Sequence, residues 1–362
     1  MENWAARMAD SVMNRTPKFD EKWDYDNGVI FKGIEKLWRL TSDQKYFDFI
    51  KTNMDFFIDE TGDIRKYSVT EYNIDHVNNG KLLFLLYKET GDDRYRKAAF
   101  LLREQLKNHP RTSEGAFWHK QIYPYQIWLD GLYMGAPFYA EFIGEFGDAK
   151  EFDDVTKQFL ICERHAKDPV TGLLYHAFDE KRVQPWCNSD TGHSKNFWGR
   201  SMGWYVMAIV DVLDYLPENH KDRARIIVIL NEVLEALLKV QDKETGVWYQ
   251  VLDGGTRKGN YLEASASCMI LYAMAKGSKK GYLPKKWFDT AKKTYSGIIE
   301  EFITVTAEGL INLNKTCMVA GLGGEGNRDG TYEYYISEPI ITNDAKGIGA
   351  FILAAAEMED LN

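Results

Sequence analysis

Asp130 stands in YPYQIWLDGLYMGAPFY, residues 123–139, a run with five Tyr or Phe rings and Trp128. Ile127, Trp128 and Leu129 in front of it are residues of a core. An aspartate here has two uses. It can cap a helix by accepting a backbone hydrogen bond. It can also be a carboxyl group that apolar surroundings keep protonated for general acid catalysis. A helix N-terminus works against the second use, because it stabilises the anion. Asp75, in YNIDHVNNG, poses the same choice. His119 in FWHKQIY and His176 in LLYHAF are polar partners or structural histidines. Trp198, Arg200 and Trp204 share WGRSMGW. The guanidinium suits a carboxylate and the indoles suit a sugar ring; a core Trp pair with a capping Arg would use the same residues. Paired carboxylates, one Arg, histidines and flat rings together make a carbohydrate site by chemistry.

Other chemistries lack their residues. There is no HExxH and no clustered Cys/His set, so no metal is expected. GLGGEG (321–326) spells GxGxxG without a strand before it or a helix after it, which argues against dinucleotide binding and for a loop lining a pocket. No P-loop occurs, and no cofactor is expected. The net charge of −9 over 362 residues argues against nucleic acid and anionic membrane as partners. The longest apolar run, Ile348 to Ala356, is too short to span a bilayer. Cys162, Cys187, Cys268 and Cys317 are widely spaced and read as reduced thiols. The first fifteen residues form an amphipathic helical pattern rather than a signal peptide. The expected setting is cytoplasmic, and the expected state is a monomer.

The elements that must position these residues are helices. A unit recurs near Gly28, Asp75, Asp130, Trp198, Tyr261 and Asp344. Its first helix is apolar and rich in small residues, as in EASASCMILYAMAKG. Its second is amphipathic, as in HKDRARIIVILNEVLEALLKVQD. A helix apolar all round is buried, and one with a polar face covers it. The sixth unit lacks its second helix, which WAARMADSVMNR at the N-terminus can supply. The expected fold is all-α: one domain over residues 1–362, with twelve main helices in a closed double ring of six hairpins. Inner helices then run parallel, and their N-termini gather DYDNG, YNIDH, QIWLDG, NFWGR and the Gly-rich loop at one rim. That is how a repeat brings distant residues to one pocket.

With these motifs assembled, the chain resembles the unsaturated rhamnogalacturonyl hydrolases and, more widely, the unsaturated glucuronyl hydrolases. The resemblance covers nearly the whole chain. It rests on NIDHVNNG (73–80), HKQIYPYQIWLDGLYMGAPF (119–138), LLYHAF (173–178), WGRSMGWY (198–205) and VAGLGG (319–324). It implies an (α/α)6 barrel with Asp130 as catalytic acid and Asp75 as the second carboxylate. It implies substrate contacts at Asn27, Gly28, His119, Trp128, His176, Arg200 and Trp204. Lys120, Gln121, Tyr123, Met134 and Trp198, from the same motifs, are counted with the site. The implied substrate is the disaccharide left by a pectin lyase, a 4,5-unsaturated galacturonosyl residue on rhamnose. The implied reaction hydrates its vinyl ether. Three other readings stay open: the glucuronyl relative, an inverting glycosidase with Asp75 and Asp130 as base and acid, and a non-catalytic oligosaccharide-binding protein.

Overall fold

The computed structural model describes residues 3–324, 326 and 328–359. In chain order, α1 (Trp4–Arg15) stands alone. Five hairpins follow: α2 (Tyr25–Thr41) with α3 (Gln44–Phe57), α4 (Lys81–Thr90) with α5 (Asp93–Asn108), α6 (Leu129–Phe146) with α7 (Phe152–Ala166), α8 (Gly199–Val212) with α9 (Arg223–Lys239), and α10 (Ala264–Lys279) with α11 (Lys286–Phe302). A short α12 (Tyr332–Ser337) precedes α13 (Ala345–Met358). A 3-10 stretch, Ile74–Gly80, leads directly into α4.

The even-numbered helices α2 to α10 and then α13 pack one against the next, and α13 returns to α2. These six make the inner ring. α3, α5, α7, α9 and α11 each cover their hairpin partner from outside, and α1 covers α13. The fold is the expected all-α (α/α)6 barrel, with α1 as the sixth outer helix. Composition explains the layers. Every residue of α8 is buried, whereas α5 buries one stripe led by Tyr95, Ala98, Leu102 and Leu106. Each large apolar side chain so buried contributes about 1.5–3 kcal/mol.

Closing the ring needs small residues where α13 meets α2. A methyl group on Gly349 would fall 2.5 Å from the carbonyl carbon and oxygen of Val29, and one on Gly33 would fall 2.9 Å from Ile352. The far ends of the chain complete the closure. Glu359 accepts hydrogen bonds from Trp4 N at 2.8 Å and Ala5 N at 3.2 Å. Those amide groups, at the start of α1, have no partner within their own helix.

Strands are short and serve the loops. β1 (Gln126–Trp128) pairs antiparallel with β2 (Ala177–Asp179), β3 (Ile303–Val305) with β4 (Ile311–Leu313), and β5 (Thr316–Cys317) with β6 (Ile340–Ile341). No helix among the described residues is long and apolar enough to cross a membrane.

The seam and a loosely packed glycine make a matched test. Gly349→Ala should destabilise the protein by about 1–3 kcal/mol, as overpacking does. Gly144→Ala, whose methyl group meets only Tyr215 at 3.8 Å, should be neutral or gain about 0.5–1 kcal/mol. Urea midpoints of the two variants check the pair; equal midpoints would show that the seam has slack.

Candidate active site

β1 runs straight into α6, so its register decides where Asp130 sits. Trp128 lies opposite Ala177, and Leu129 N donates to His176 O at 3.1 Å. This ladder sets His176 beside Asp130, with Nε2 3.3 Å from Oδ2. A second clamp works the same way. Asn73 bridges to Lys120, Ile74 N donates to His119 O at 3.2 Å, and Gln121 N donates to Tyr72 O at 3.0 Å. It brings Lys120 Nζ to 2.8 Å from Asp75 Oδ2 and His119 Nε2 to 3.6 Å from Oδ1.

Neither carboxylate is the helix cap that its position allows. Asn73 Oδ1 takes the amide of Asp75 at 3.1 Å, and Trp128, at the N-cap of α6, gives no side-chain cap. Asp24 and Asp344 cap α2 and α13 instead. Asp75 and Asp130 therefore sit in first turns with their oxygens released for other partners.

Their surroundings differ. Burial pushes the Asp75 carboxyl up, but Lys120 and then His119 outweigh it and hold it below the usual carboxylate value. Burial lowers His119 to about 4 despite Asp75, so its ring is neutral at pH 7. Burial works to lower the Lys120 ammonium, but Asp75 outweighs it and raises it. Among the described residues no lysine or arginine pairs with Asp130. Its Oδ2 is buried without a hydrogen bond, and so is the facing Nε2 of His176. The other nitrogen of His176, Nδ1, lies 2.8 Å from Tyr335 OH.

Flat rings wall the site. His119, Trp128 and Tyr123 stack nearly parallel, with centroids 4.5 Å apart for the first two and 5.1 Å for the last two. Trp198 packs on His176 at 4.6 Å and anchors its own Nε1 on Gln250. Trp204 stacks on Tyr133 at 4.8 Å. Asp75 and Lys120 open onto a polar cleft of about 700 Å³ walled by Trp23, Asp24, Tyr25 and His76.

The remaining expected residues divide. Arg200 is fully buried. Its Nη1 donates to Cys317 O and to Ser265 Oγ, and Nη2 donates to Met318 O, leaving Nε bare. A bidentate grip on a carboxylate would displace these bonds. Gly28 is a packing residue: a methyl group there would strike Asn79 Oδ1 at 2.2 Å. Asn27 Nδ2 donates to Lys22 O at the rim. Gln121 is exposed. Met134 lies in the main core, one turn beyond Asp130. Of the Gly-rich loop, Gly323 lies against Trp186, and Gly324 lies 3.9 Å from Tyr123 OH by its added methyl position.

Tyr25, Asp26 and Tyr335 are additions that the sequence did not single out. Burial first, then Asp26 and Asp75, raise the Tyr25 hydroxyl far above its usual value. Burial brings Asp26 to about 6 although Lys346 opposes it. DYDNG carried the signal for the first two, since its place at the rim was readable. Asp153, His220 and Asp222 are also close enough together to hold a metal, but the Lys221 ammonium already contacts both carboxylates.

Comparison with known proteins bears on the whole chain. The family described as Glycosyl Hydrolase Family 88 matches residues 4–362. A solved glycoside hydrolase from family 105 of C. acetobutylicum ATCC 824 is 58% identical, covers 99% of each chain and superposes with a TM-score of 0.97. The unsaturated rhamnogalacturonyl hydrolase YesR of Bacillus subtilis is 31% identical over 285 residues, 77% of either chain. An unsaturated glucuronyl hydrolase from Bacillus sp. GL1, responsible for the degradation of glycosaminoglycan, shares the fold at 15% identity, with a TM-score of 0.71 over 98% of this chain and 95% of that one.

The Asp75–Lys120 pair predicts an acid limb. A carboxyl held below its unfolded value stabilises the fold while ionised. That stability is present above the ordinary value of 3.8 and is lost as pH falls through the lower folded value. Lys120→Met should remove up to about 3 kcal/mol, the low end for a broken buried pair, because Lys120 is itself 24% exposed. It should also move acid unfolding to higher pH. Unfolding curves that coincide with wild type from pH 7 to pH 3 would show that the pair is not coupled to the fold.

Proposed function

Since this chain belongs to Glycosyl Hydrolase Family 88, we propose that it removes a 4,5-unsaturated galacturonosyl residue from short rhamnogalacturonan fragments. The observation that carries this reading is the unequal treatment of the two carboxylates. Asp75 is tied to an ammonium group and held ionised. Asp130 faces a histidine nitrogen with an unshared oxygen. A reaction that needs one proton donor and one fixed anion suits that division.

The substrate is a vinyl ether across C4 and C5. In this reading Asp130 gives its proton to C4, which leaves an oxocarbenium ion at C5. Water adds at C5, and the carboxylate left on Asp130 takes the proton that the water loses. The hemiketal opens to a ketone at C5. C1, now a hemiacetal, releases rhamnose and becomes an aldehyde. No displacement occurs at C1, so the usual pair of glycosidase carboxylates is not required. Tyr335 supports the assignment. If its hydroxyl accepts Nδ1–H of His176, Nε2 presents a lone pair to a protonated Asp130. Asp75 orients the water or a sugar hydroxyl. The His119–Trp128–Tyr123 stack offers a flat face for the sugar. Lys120 and the buried charge of Arg200, with its bare Nε, favour the uronate carboxylate. We further read the ring as one catalytic domain acting as a monomer. Its four free cysteines suit a reducing compartment such as the cytoplasm.

An unsaturated galacturonosyl-rhamnose disaccharide tests the reaction by loss of the vinyl ether's ultraviolet absorbance. The saturated analogue should be inert, and its cleavage at a comparable rate would point to an ordinary glycosidase instead. Asp130→Asn preserves volume and should fold, bind the disaccharide and turn it over about 10²–10⁴-fold more slowly. A tenth or more of wild-type kcat in that variant would move the acid role elsewhere.

A further inference from the structure

The barrel has a second polar cavity at the opposite end from the rim just described. All six inner helices contribute to it: α2 with Glu35, α4 with Lys81, α6 with Glu141, α8 with Asp211, α10 with Lys276 and α13 with Glu357. Its free space, counted with the solvent at its open mouth, is about 1020 Å³. Lys81 Nζ lies 3.6 Å from the centre of the Tyr133 ring, which stacks on Trp204.

Most of its charges cancel. Glu35 pairs with Lys32 at 2.6 Å and Arg39 at 2.8 Å. Glu357 pairs with Lys36 at 2.7 Å. Lys276 holds Asp211 at 2.6 Å and Asp214 at 2.7 Å. Lys81 is the exception. Its side chain is buried, and among the described residues no carboxylate lies within ion-pair distance.

Local chemistry explains one of its bonds. Pro137 lies inside α6 and has no N–H to give to the carbonyl of Tyr133, four residues earlier. Lys81 Nζ donates to that freed carbonyl at 3.4 Å. An ammonium group has three N–H bonds. The long contact to Tyr133 O uses one, the ring face receives the charge, and further donors are left on a cation that lines a cavity. A buried cation with spare donors is costly unless something meets it.

We propose that this cavity binds a small oxyanion, an inorganic phosphate or the carboxylate of a free uronate, on the Lys81 ammonium. Two facts favour an anion over a second cation. The cavity lining has seven Lys or Arg side chains (Lys32, Lys36, Arg39, Lys81, Lys88, Lys276 and Lys280) against five Asp or Glu. Among the described residues Glu141 is the one lining carboxyl without a cation in ion-pair distance; burial pushes it up to about 7, so it can donate a hydrogen bond rather than repel. The negative ends of the inner helices oppose an anion, and the lysine excess must outweigh them. Burial first, with Lys32 and Lys276 adding to it, takes Lys81 down to about 7 although Asp211 opposes; a bound anion would restore its charge.

Calorimetric titration of the whole protein with sodium phosphate, and separately with D-galacturonate, tests this at constant ionic strength. Saturable binding with Kd below about 1 mM is expected for at least one of them. The effective probe identifies the source. Lys81→Met should weaken binding at least about tenfold, the effect of losing a charged donor. Lys292→Met, exposed on the outer helix α11, should leave it unchanged. No saturation with either probe, or undiminished binding in Lys81→Met, overturns the proposal. If Lys81→Met does not fold, a crystal soaked in selenate decides. An anomalous peak within hydrogen-bond reach of Lys81 Nζ supports the site, and ordered water there overturns it.

Discussion

Where Gly349 passes Val29, two helix backbones touch with no side chain between them. That contact sets the circumference of the inner ring. Six parallel helices of fixed diameter can close only if some neighbours approach this tightly, and α13 meets α2 through glycine. Once the ring is closed, the N-terminal turns of all six inner helices share one rim. Asp75 and Asp130 then come together although 54 positions lie between them in the sequence. Neither needs a long loop to reach the other. The chemistry is held on the stiffest part of the molecule, which favours a site with fixed geometry.

The ring brings the carboxylates near, but the small ladders make them different. β1 and β2 pair over three residues, and that register delivers His176 to Asp130. The Asn73–Lys120 bridge delivers an ammonium group to Asp75. Each ladder is outside the helical repeat. A repeat alone would treat equivalent positions alike; the inserted strands break the equivalence and give one carboxylate an ammonium group and the other an imidazole ring.

Much of this was legible in the sequence. Alternating apolar and amphipathic helices gave the double ring, and the missing sixth outer helix pointed to α1. Motif positions placed Asp75, Asp130, His119, Lys120 and His176 together, as found. The capping choice could not be settled, because it turns on which neighbour captures an amide: Asn73 does so for Asp75, and nothing does so at α6. Arg200 read as a free fork; its use on Cys317, Ser265 and Met318 depends on β5, which no periodicity signals. Met134 belongs to a site motif yet faces the core, since motif membership does not state which side of a helix a residue occupies. Tyr25 and Lys81 went unremarked because their environments come from other helices.

The carboxylate of Glu359 on the first amides of α1 joins groups 355 positions apart. Among the barrel helices α1 is made first, and α13, the helix it covers, is made last. At about 5–20 residues per second, the apolar stripe of Ala5, Met8 and Val12 waits on the order of tens of seconds without its partner. Until α13 is made that stripe stays uncovered, and once α11 is complete the nascent chain is an open wedge, five hairpins with one uncovered flank. Chaperone engagement during translation would concentrate on that flank, and release would follow arrival of the final helix.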